Sequence, residues 1–423
     1  MFAGDAHQVV RDRYDTSGRP QDPLGDDPWA WCEIPPDHPV LSRRPQVLRR
    51  SDPGDAIGVI AERYGPPDRY CVLGANVAAP SGWAAIPLSA QYRAVREGAG
   101  VFPCGGMCYL SFCGPDAVRV LDLLTPRRLD HLEVGHARFV IFTTPGGAVD
   151  TEGVVLRTGY ESFLVSIGGD AQPPRWLPDA CSDYREVGVA ETSYSSFNIK
   201  GPAREEAMLT LVSPTCANQV RALGPFRGAV VTTAWGQSAW VVRTIIGIEL
   251  WAEGDVVHEA WTRIVARPET FTPCGWDLLA TYRMECTAFP FYMCPLDIHQ
   301  GTHLFDVGLG RVVSGDKEVD YVGRAGLDAH VLTPDRMWAA GLVATQGYAP
   351  RRKVGEKVVL PGASGNGYVT SAGSSPQIGR EVCFAHLPRR YGPGSRVRVT
   401  DGSVWEVTEL PILTSRRPSG ARG

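Results

Sequence analysis

The clearest alternation of apolar and polar positions lies between residues 85 and 170. Residues 91–98 carry apolar side chains at helical spacing and stop at Gly98, which predicts a helix ended by glycine. An apolar run over 107–112 predicts a strand. Gly114-Pro115-Asp116 then opens a helix through Leu124, with Ala117, Val120, Leu121 and Leu124 on one face. Two alternating stretches, 138–143 and 153–157, flank a glycine turn at Gly146-Gly147 and predict a hairpin, and 163–167 reads as a further strand. Helices and strands continue to alternate to about residue 320. Hairpins are frequent and no G-x-G-x-x-G opens a helix, so the pattern is α+β and not a dinucleotide-binding parallel sheet.

The last hundred residues change character. Short strand-like runs at 338–344, 357–360, 368–371, 382–386, 396–399 and 404–410 recur between Gly, Pro and Ser turns, the signature of a small β-barrel or sandwich. At the other end, Asp22-Pro23, Asp27-Pro28, Pro35-Pro36 and Asp52-Pro53 interrupt a stretch with little periodicity. The expected organisation is an extended arm over 1–55, a core over 56–325, a barrel over 326–415 and a polar tail over 416–423.

Composition narrows the function classes. With 43% hydrophobic and 21% charged residues in 423, the chain is an ordinary globular protein long enough for two or three domains. A net charge of -4 without a basic stripe argues against nucleic acid or an anionic membrane as partner. No apolar run is long enough to span a bilayer, and residues 1–15 lack the pattern of a signal peptide, so a cytoplasmic protein acting on a small molecule is expected. The oligomeric state leaves no trace in the sequence. Eleven cysteines without paired spacing read as reduced thiols. Cys104, Cys108 and Cys113 have no histidine or second cysteine pair at zinc-like spacing nearby, so they read as small buried hydrophobes.

Four stretches, in order, carry a resemblance. The first holds Arg96-Glu97-Gly98-Ala99-Gly100-Val101-Phe102 and Cys113-Gly114-Pro115-Asp116-Ala117. The second runs over 135–169. The third joins Pro273-Cys274-Gly275-Trp276, Arg283-Met284-Glu285, Gly308-Leu309-Gly310 and Tyr321-Val322-Gly323-Arg324. The fourth holds Gly367-Tyr368-Val369-Thr370-Ser371, Ser375-Pro376 and Leu410-Pro411. Together they resemble the glycine-cleavage T-protein (aminomethyltransferase) superfamily across residues 85–413. The resemblance implies a three-lobed ring, two interleaved α+β lobes and a C-terminal β-barrel, with tetrahydrofolate, or its 5-methyl or 5,10-methylene form, in a central channel.

It also implies site residues. The family's catalytic Asp position falls on Glu152, with Asp150 brought in instead by a small slip of the turn. A carboxylate there would stabilise charge developing on a folate nitrogen or relay its proton; as plain turn residues, both would be solvated. Arg243-Thr244 followed by Gly247-Ile248-Glu249 matches the triplet whose Glu clamps the pterin through two hydrogen bonds. Phe139, Ile167 and Arg283 complete the implied cofactor contacts, although Arg283 and Glu285 equally suit a structural pair. Residues 294–306 depart from the family pattern; there His299, or His303, is a candidate substrate-side acid or base, with an exposed loop histidine as the plainer reading. His299, His303 and Asp297 would share a helical face suited to a metal, but Pro295 and Gly301 oppose a regular helix, and no metal is expected.

Thr151-Glu152 and Gly168 stand where T-protein usually has Asp-Asp and Asn, and Ser166-Ile167-Gly168-Gly169-Asp170 looks more like the demethylase branch. The expected activity is therefore tetrahydrofolate-dependent methyl transfer or demethylation, between folate N5 and an O-, S- or N-methyl of a small metabolite. Aminomethyl or hydroxymethyl transfer, or folate binding without catalysis, are the alternatives.

Overall fold

The computed structural model describes residues 54–413 except 68–69, 74–76, 81, 106, 169–181, 246, 287–296, 299–301, 334–335, 346–355 and 361–366. The expected arm and tail lie almost wholly outside the described residues. Described residues fall into two compact units, one from 54–278 and 312–327, the other from 279–311 and 328–413.

In chain order the first unit contains α1 (Leu88–Glu97), β1 (Gly100–Pro103), β2 (Cys108–Cys113), α2 (Ala117–Leu123), β3 (Ala137–Thr143), β4 (Val149–Gly159), β5 (Ser162–Ile167), β6 (Gly188–Glu191), β7 (Tyr194–Lys200), β8 (Arg227–Thr232), β9 (Ser238–Arg243), β10 (Ile248–Glu253), α3 (Gly254–Val265) and β11 (Thr272–Pro273). The predicted helix over 91–98 is α1, and the Gly98 amide closes it on the Ala94 carbonyl. The predicted hairpin is β3–β4, with β4 running beyond the predicted 153–157 to Val149–Gly159.

Two sheets form. One has the order β3-β4-β5-β2-β6 and the other β8-β9-β10-β7-β1-β11; all pairs are antiparallel except β11 with β1. Strand alternation assigns their faces. In the first sheet Val140, Phe142, Val155, Val165 and Ile167 pack under α2 with Val120, Leu121 and Leu124. The opposite face presents Tyr109, Ala137, Leu156 and Leu164 to Val242 and Trp251 of the second sheet. The second sheet turns its other face to α3, where Phe197 meets Trp261 edge-on at 5.6 Å between centroids. Both faces of both sheets are therefore largely covered, and the layer between the sheets is where polar side chains become conspicuous.

The second unit is built around a closed six-stranded barrel, with strands β12 (Met337–Ala344), β13 (Lys357–Val359), β14 (Gly367–Ser375), β15 (Arg380–Pro388), β16 (Arg396–Val399) and β17 (Val404–Thr408) in the order β12-β15-β14-β13-β16-β17. Leu342, Val358, Val369, Ala385, Leu387, Val397, Val399, Trp405 and Val407 fill it. Spacing left barrel and sandwich open. Closure decides for the barrel and removes every exposed strand edge.

Candidate functional site

The site is built from the polar side chains between the two sheets of the first unit. Glu249 on β10 pairs with Asn198 on β7, and Trp251 with Ser196. Alternation therefore puts Glu249, Trp251, Ser196, Asn198 and Lys200 on one face, turned toward the first sheet. The Glu249 carboxylate accepts hydrogen bonds from Asn198 Nδ2 at 2.6 Å and Trp251 Nε1 at 2.7 Å, with the Thr244 hydroxyl at 3.4 Å. Gly247, first of the Gly-Ile-Glu triplet, has to be glycine: a Cβ there would lie 2.0 Å from Asn198 Oδ1 and 2.7 Å from the Ile199 carbonyl oxygen. The triplet thus follows from close packing of β10 on β7.

On the first sheet the same layer receives Glu152, Val154 and Leu156 of β4, paired across β3 with Ile141, Phe139 and Ala137. Glu152 is 9% exposed, so its carboxylate is not a solvated turn residue. Gly168 stands beside it, where a Cβ would lie 3.2 Å from Glu152 Oε1. A side chain at 168 would crowd the longer carboxylate, and this is the physical reason that Glu152 goes with a bare position there. Tyr109 and Ser166 share the layer. The Tyr109 ring meets Trp251 edge-on at 5.4 Å and Tyr194 at 6.2 Å, and the Ser166 hydroxyl lies 3.5 Å from Met107 Sδ.

Asp150 is the extra residue of a β-bulge. Phe142 pairs with Thr151 but Thr143 pairs with Val149, so Asp150 has no opposite number. It is half-buried at the strand end. Ile167 points the other way from Ser166, into the core under α2, so any contact it makes with a ligand in the inter-sheet layer is through its backbone. Phe139 is half-buried on the layer's face.

Arg283 belongs to the second unit and is fully buried. Its guanidinium donates to Asp297 at 2.8 Å and to the Ser371 hydroxyl, and lies 4.9 Å over the Phe384 ring. Asp297 also accepts from Ser371 at 2.9 Å, and the Asp297 carbonyl oxygen lies 3.0 Å from His386 Nε2. Of the two roles open in the sequence, these contacts give Arg283 the structural one. Asp297 is thereby engaged by Arg283 and Ser371, and the acidic group beside His303 is Asp306, with His330. His299 lies outside the described residues. His303 instead stacks on His330, ring centroids 3.6 Å apart and planes 5° from parallel, and His330 Nε2 meets the Asp306 carboxylate at 2.8 Å. Parallel rings offer no single point in both ring planes, so as they stand these groups form a carboxylate–imidazole pair with a second ring laid on it.

Burial sets the electrostatics of the inter-sheet layer. It raises the Glu249 carboxyl above the usual carboxylate range, against the lowering effects of Trp251, Lys200, Asn198 and Thr244. It also raises the Tyr109 hydroxyl well above the usual range, and the negative charge of Glu249 adds to this. Burial lowers Lys200 from its ordinary 10.5 to about 8, against the pull of Cys104, Glu249 and Cys274. The sign for stability follows. A lysine whose folded-state pKa is depressed burdens the fold while charged, fully so below about pH 8, and the burden is lifted as pH rises toward 10.5. Lys200→Met is expected to raise stability by about 2 kcal/mol below pH 8, and its advantage over the native chain should shrink at higher pH. The buried Tyr109 hydroxyl, raised by burial, opposes the trend in both proteins, whereas the Cys274 thiol, also raised by burial, loses the lowering pull of Lys200 in the variant. The quantity to read is therefore whether the difference between paired denaturant titrations begins to shrink near pH 8. An advantage independent of pH would show that the ammonium is not the cause.

Residues 63–317 match a family model described as the GCVT N-terminal domain. The chain belongs to the T-protein superfamily. It is 28% identical over 343 residues to an aminomethyltransferase of Saccharopolyspora erythraea, covering 77% of this chain and 90% of that one. To an aminomethyltransferase of Streptomyces coelicolor it is 29% identical over 370 residues, with coverage of 82% and 95%. The crystal structure of glycine cleavage system aminomethyltransferase T from Bartonella henselae superposes with a TM-score of 0.71 at 16% identity, over 84% of this chain and 96% of that one, which shows the shared T-protein fold. Among the described residues no helix is long and apolar enough to cross a membrane.

Tetrahydrofolate is the cosubstrate of this superfamily. The residues present fit it. Glu249 retains acceptor capacity beyond its protein donors, and buried Asn198 Oδ1 has no hydrogen-bond partner among the described residues. A pterin supplies the N–H donors that such acceptors need, and the faces of Tyr109 and Trp251 line the same layer. Sequence reasoning pointed to Glu249 and Glu152 but not to Asn198, Lys200 and Tyr109, which share their layer. The signal lay in the strand Tyr194-Ser195-Ser196-Phe197-Asn198-Ile199-Lys200, whose alternate polar positions read as a solvent face until a second sheet covers them.

Proposed function

We propose that this T-protein superfamily member is a tetrahydrofolate-dependent one-carbon transferase of aminomethyltransferase type, taking its one-carbon unit from the nitrogen-bearing carbon of a donor. The observation that carries it is the pair of buried carboxylates, Glu152 and Glu249, on the facing surfaces of the two sheets in one layer. The curated relatives it covers over 90–95% of their length bear the aminomethyltransferase name, which supports this reading over the others.

When bound, tetrahydrofolate supplies the nucleophilic nitrogen that carries the one-carbon unit. Glu249 and Asn198 would hold the pterin edge, with Trp251 and Thr244 fixing the Glu249 carboxylate so that no freedom is lost on binding. Glu152 would hold the proton exchanged at the reacting nitrogen or offset the positive charge that develops there. The walls contributed by Phe139, Val154, Tyr109 and Trp251 keep water from that charge.

A second reading, methyl transfer or demethylation at an O-, S- or N-methyl, is favoured by one observation. Glu152 with Gly168 places the carboxylate one methylene further out than an Asp and removes a side chain beside it, which reshapes the reacting corner for a different donor. Tetrahydrofolate assayed with an aminomethyl donor and, separately, with methyl donors separates the two. Methylene-folate with ammonia released supports the first; 5-methyl-folate from a methylated donor supports the second; neither product removes both.

Glu249→Gln keeps the shape but changes charge-assisted acceptors into a half-donor amide. It should weaken tetrahydrofolate binding about 10- to 100-fold by calorimetry. Unchanged affinity would remove Glu249 from the site.

A further inference from the structure

Lys200 is 1% exposed at the end of β7. Among the described residues its ammonium is in neither an ion pair nor a hydrogen bond. It meets the face of Phe102 at 5.5 Å, with Glu249, Cys104 and Cys274 as its charged or ionisable neighbours. A buried ammonium without an acceptor is among the least favourable groups a fold can carry. Its place is specific. Glu249 pairs directly with Asn198, and Lys200 is the next residue along β7 on the same face, diagonal to Glu249. On β1 its partner is Gly100, where Val95 and Cys274 come within 3 Å of the position a Cβ would take.

Side by side, Glu249, Asn198 Oδ1 and Lys200 present two acceptors and then a donor. The amide edge of a pterin presents the complement in order: the 2-amino donor, the N3–H donor and the C4 carbonyl acceptor. Resting on the folate reading above, we infer that Lys200 is a specificity residue that donates to the C4 carbonyl oxygen of the bound pterin and selects 4-oxo over 4-amino pteridines. The depressed basicity of the amine is consistent with this. It marks a group held out of water with its acceptor supplied by a ligand, and binding would restore a partner to it.

The test is direct binding by calorimetry to the full-length protein, with tetrahydrofolate and a reduced 2,4-diaminopteridine folate analogue as probes. The native chain should favour tetrahydrofolate at least 10-fold, because a 4-amino group turns a donor toward the ammonium. Lys200→Met should weaken tetrahydrofolate about 10- to 100-fold while changing the diamino analogue less than about threefold, so the preference collapses. Lys200→Gln, which keeps a neutral donor, should retain part of it. Lys200→Met with native affinity for both probes, or equal weakening of both, overturns the assignment. A native chain that binds neither probe sinks the folate reading itself. A native chain that binds both equally leaves that reading standing and removes Lys200 from it.

Discussion

Glu152→Gln lowers turnover by about a hundred- to a thousandfold while leaving tetrahydrofolate affinity within about twofold. The amide keeps the volume of the buried side chain beside Gly168 and removes the charge, so packing between the sheets is preserved and only the interaction with a developing positive charge or a transferred proton is lost. Steady-state turnover together with calorimetric titration separates the two effects. Unchanged turnover would assign Glu152 to structure. Equal loss of turnover and affinity would make it a binding group instead. Asp150→Asn is the control: the bulge residue is half-buried at the strand end, and its variant should remain within about threefold of the native rate. If Asp150→Asn were the one to abolish turnover, the bulge would have brought the second carboxylate into the site in place of the first.

The second large effect concerns stability. Arg283→Met should destabilise the second unit by about 3–5 kcal/mol. The substitution leaves Asp297 buried at 3% exposure with its charge uncompensated, and withdraws the guanidinium from Ser371 and from the face of Phe384. Replacing both partners should recover much of the loss, because Arg283→Met with Asp297→Leu removes both desolvated charges. Chemical denaturation of the two variants against the native protein checks this. A single variant within about 1 kcal/mol of native would show that the pair is not what holds α4 (Trp276–Cys286) against the barrel wall.

Much of the architecture was legible from patterning. The helix closed by Gly98, four of the five strands of the first sheet and the six barrel strands follow from apolar period and turn residues, because a strand or helix must bury one face whatever surrounds it, whereas β6, exposed along its length, leaves no such pattern. Boundaries were less legible: β4 extends beyond the predicted 153–157 in both directions since its ends, Val149–Glu152 and Thr158–Gly159, are fixed by pairing with β3 and β5. The bulge at Asp150 is of the same kind. One extra residue in a strand leaves no compositional mark, yet it decides which carboxylate, Asp150 or Glu152, turns inward.

What the sequence by itself determined is the chain's membership of the T-protein superfamily, the α+β-plus-barrel plan, and two acidic positions, Glu152 and Glu249, each tied to a local motif. Tertiary structure alone decided the rest. Tyr109, Asn198 and Lys200 joined the candidate site only when a second sheet closed over their polar faces, and Arg283 meets Asp297, 14 residues away, and Ser371, 88 residues away, only in the folded chain. The reason is that a motif records neighbours along the chain. The desolvation that gives a carboxylate or an amine its chemistry comes from neighbours far from it in sequence.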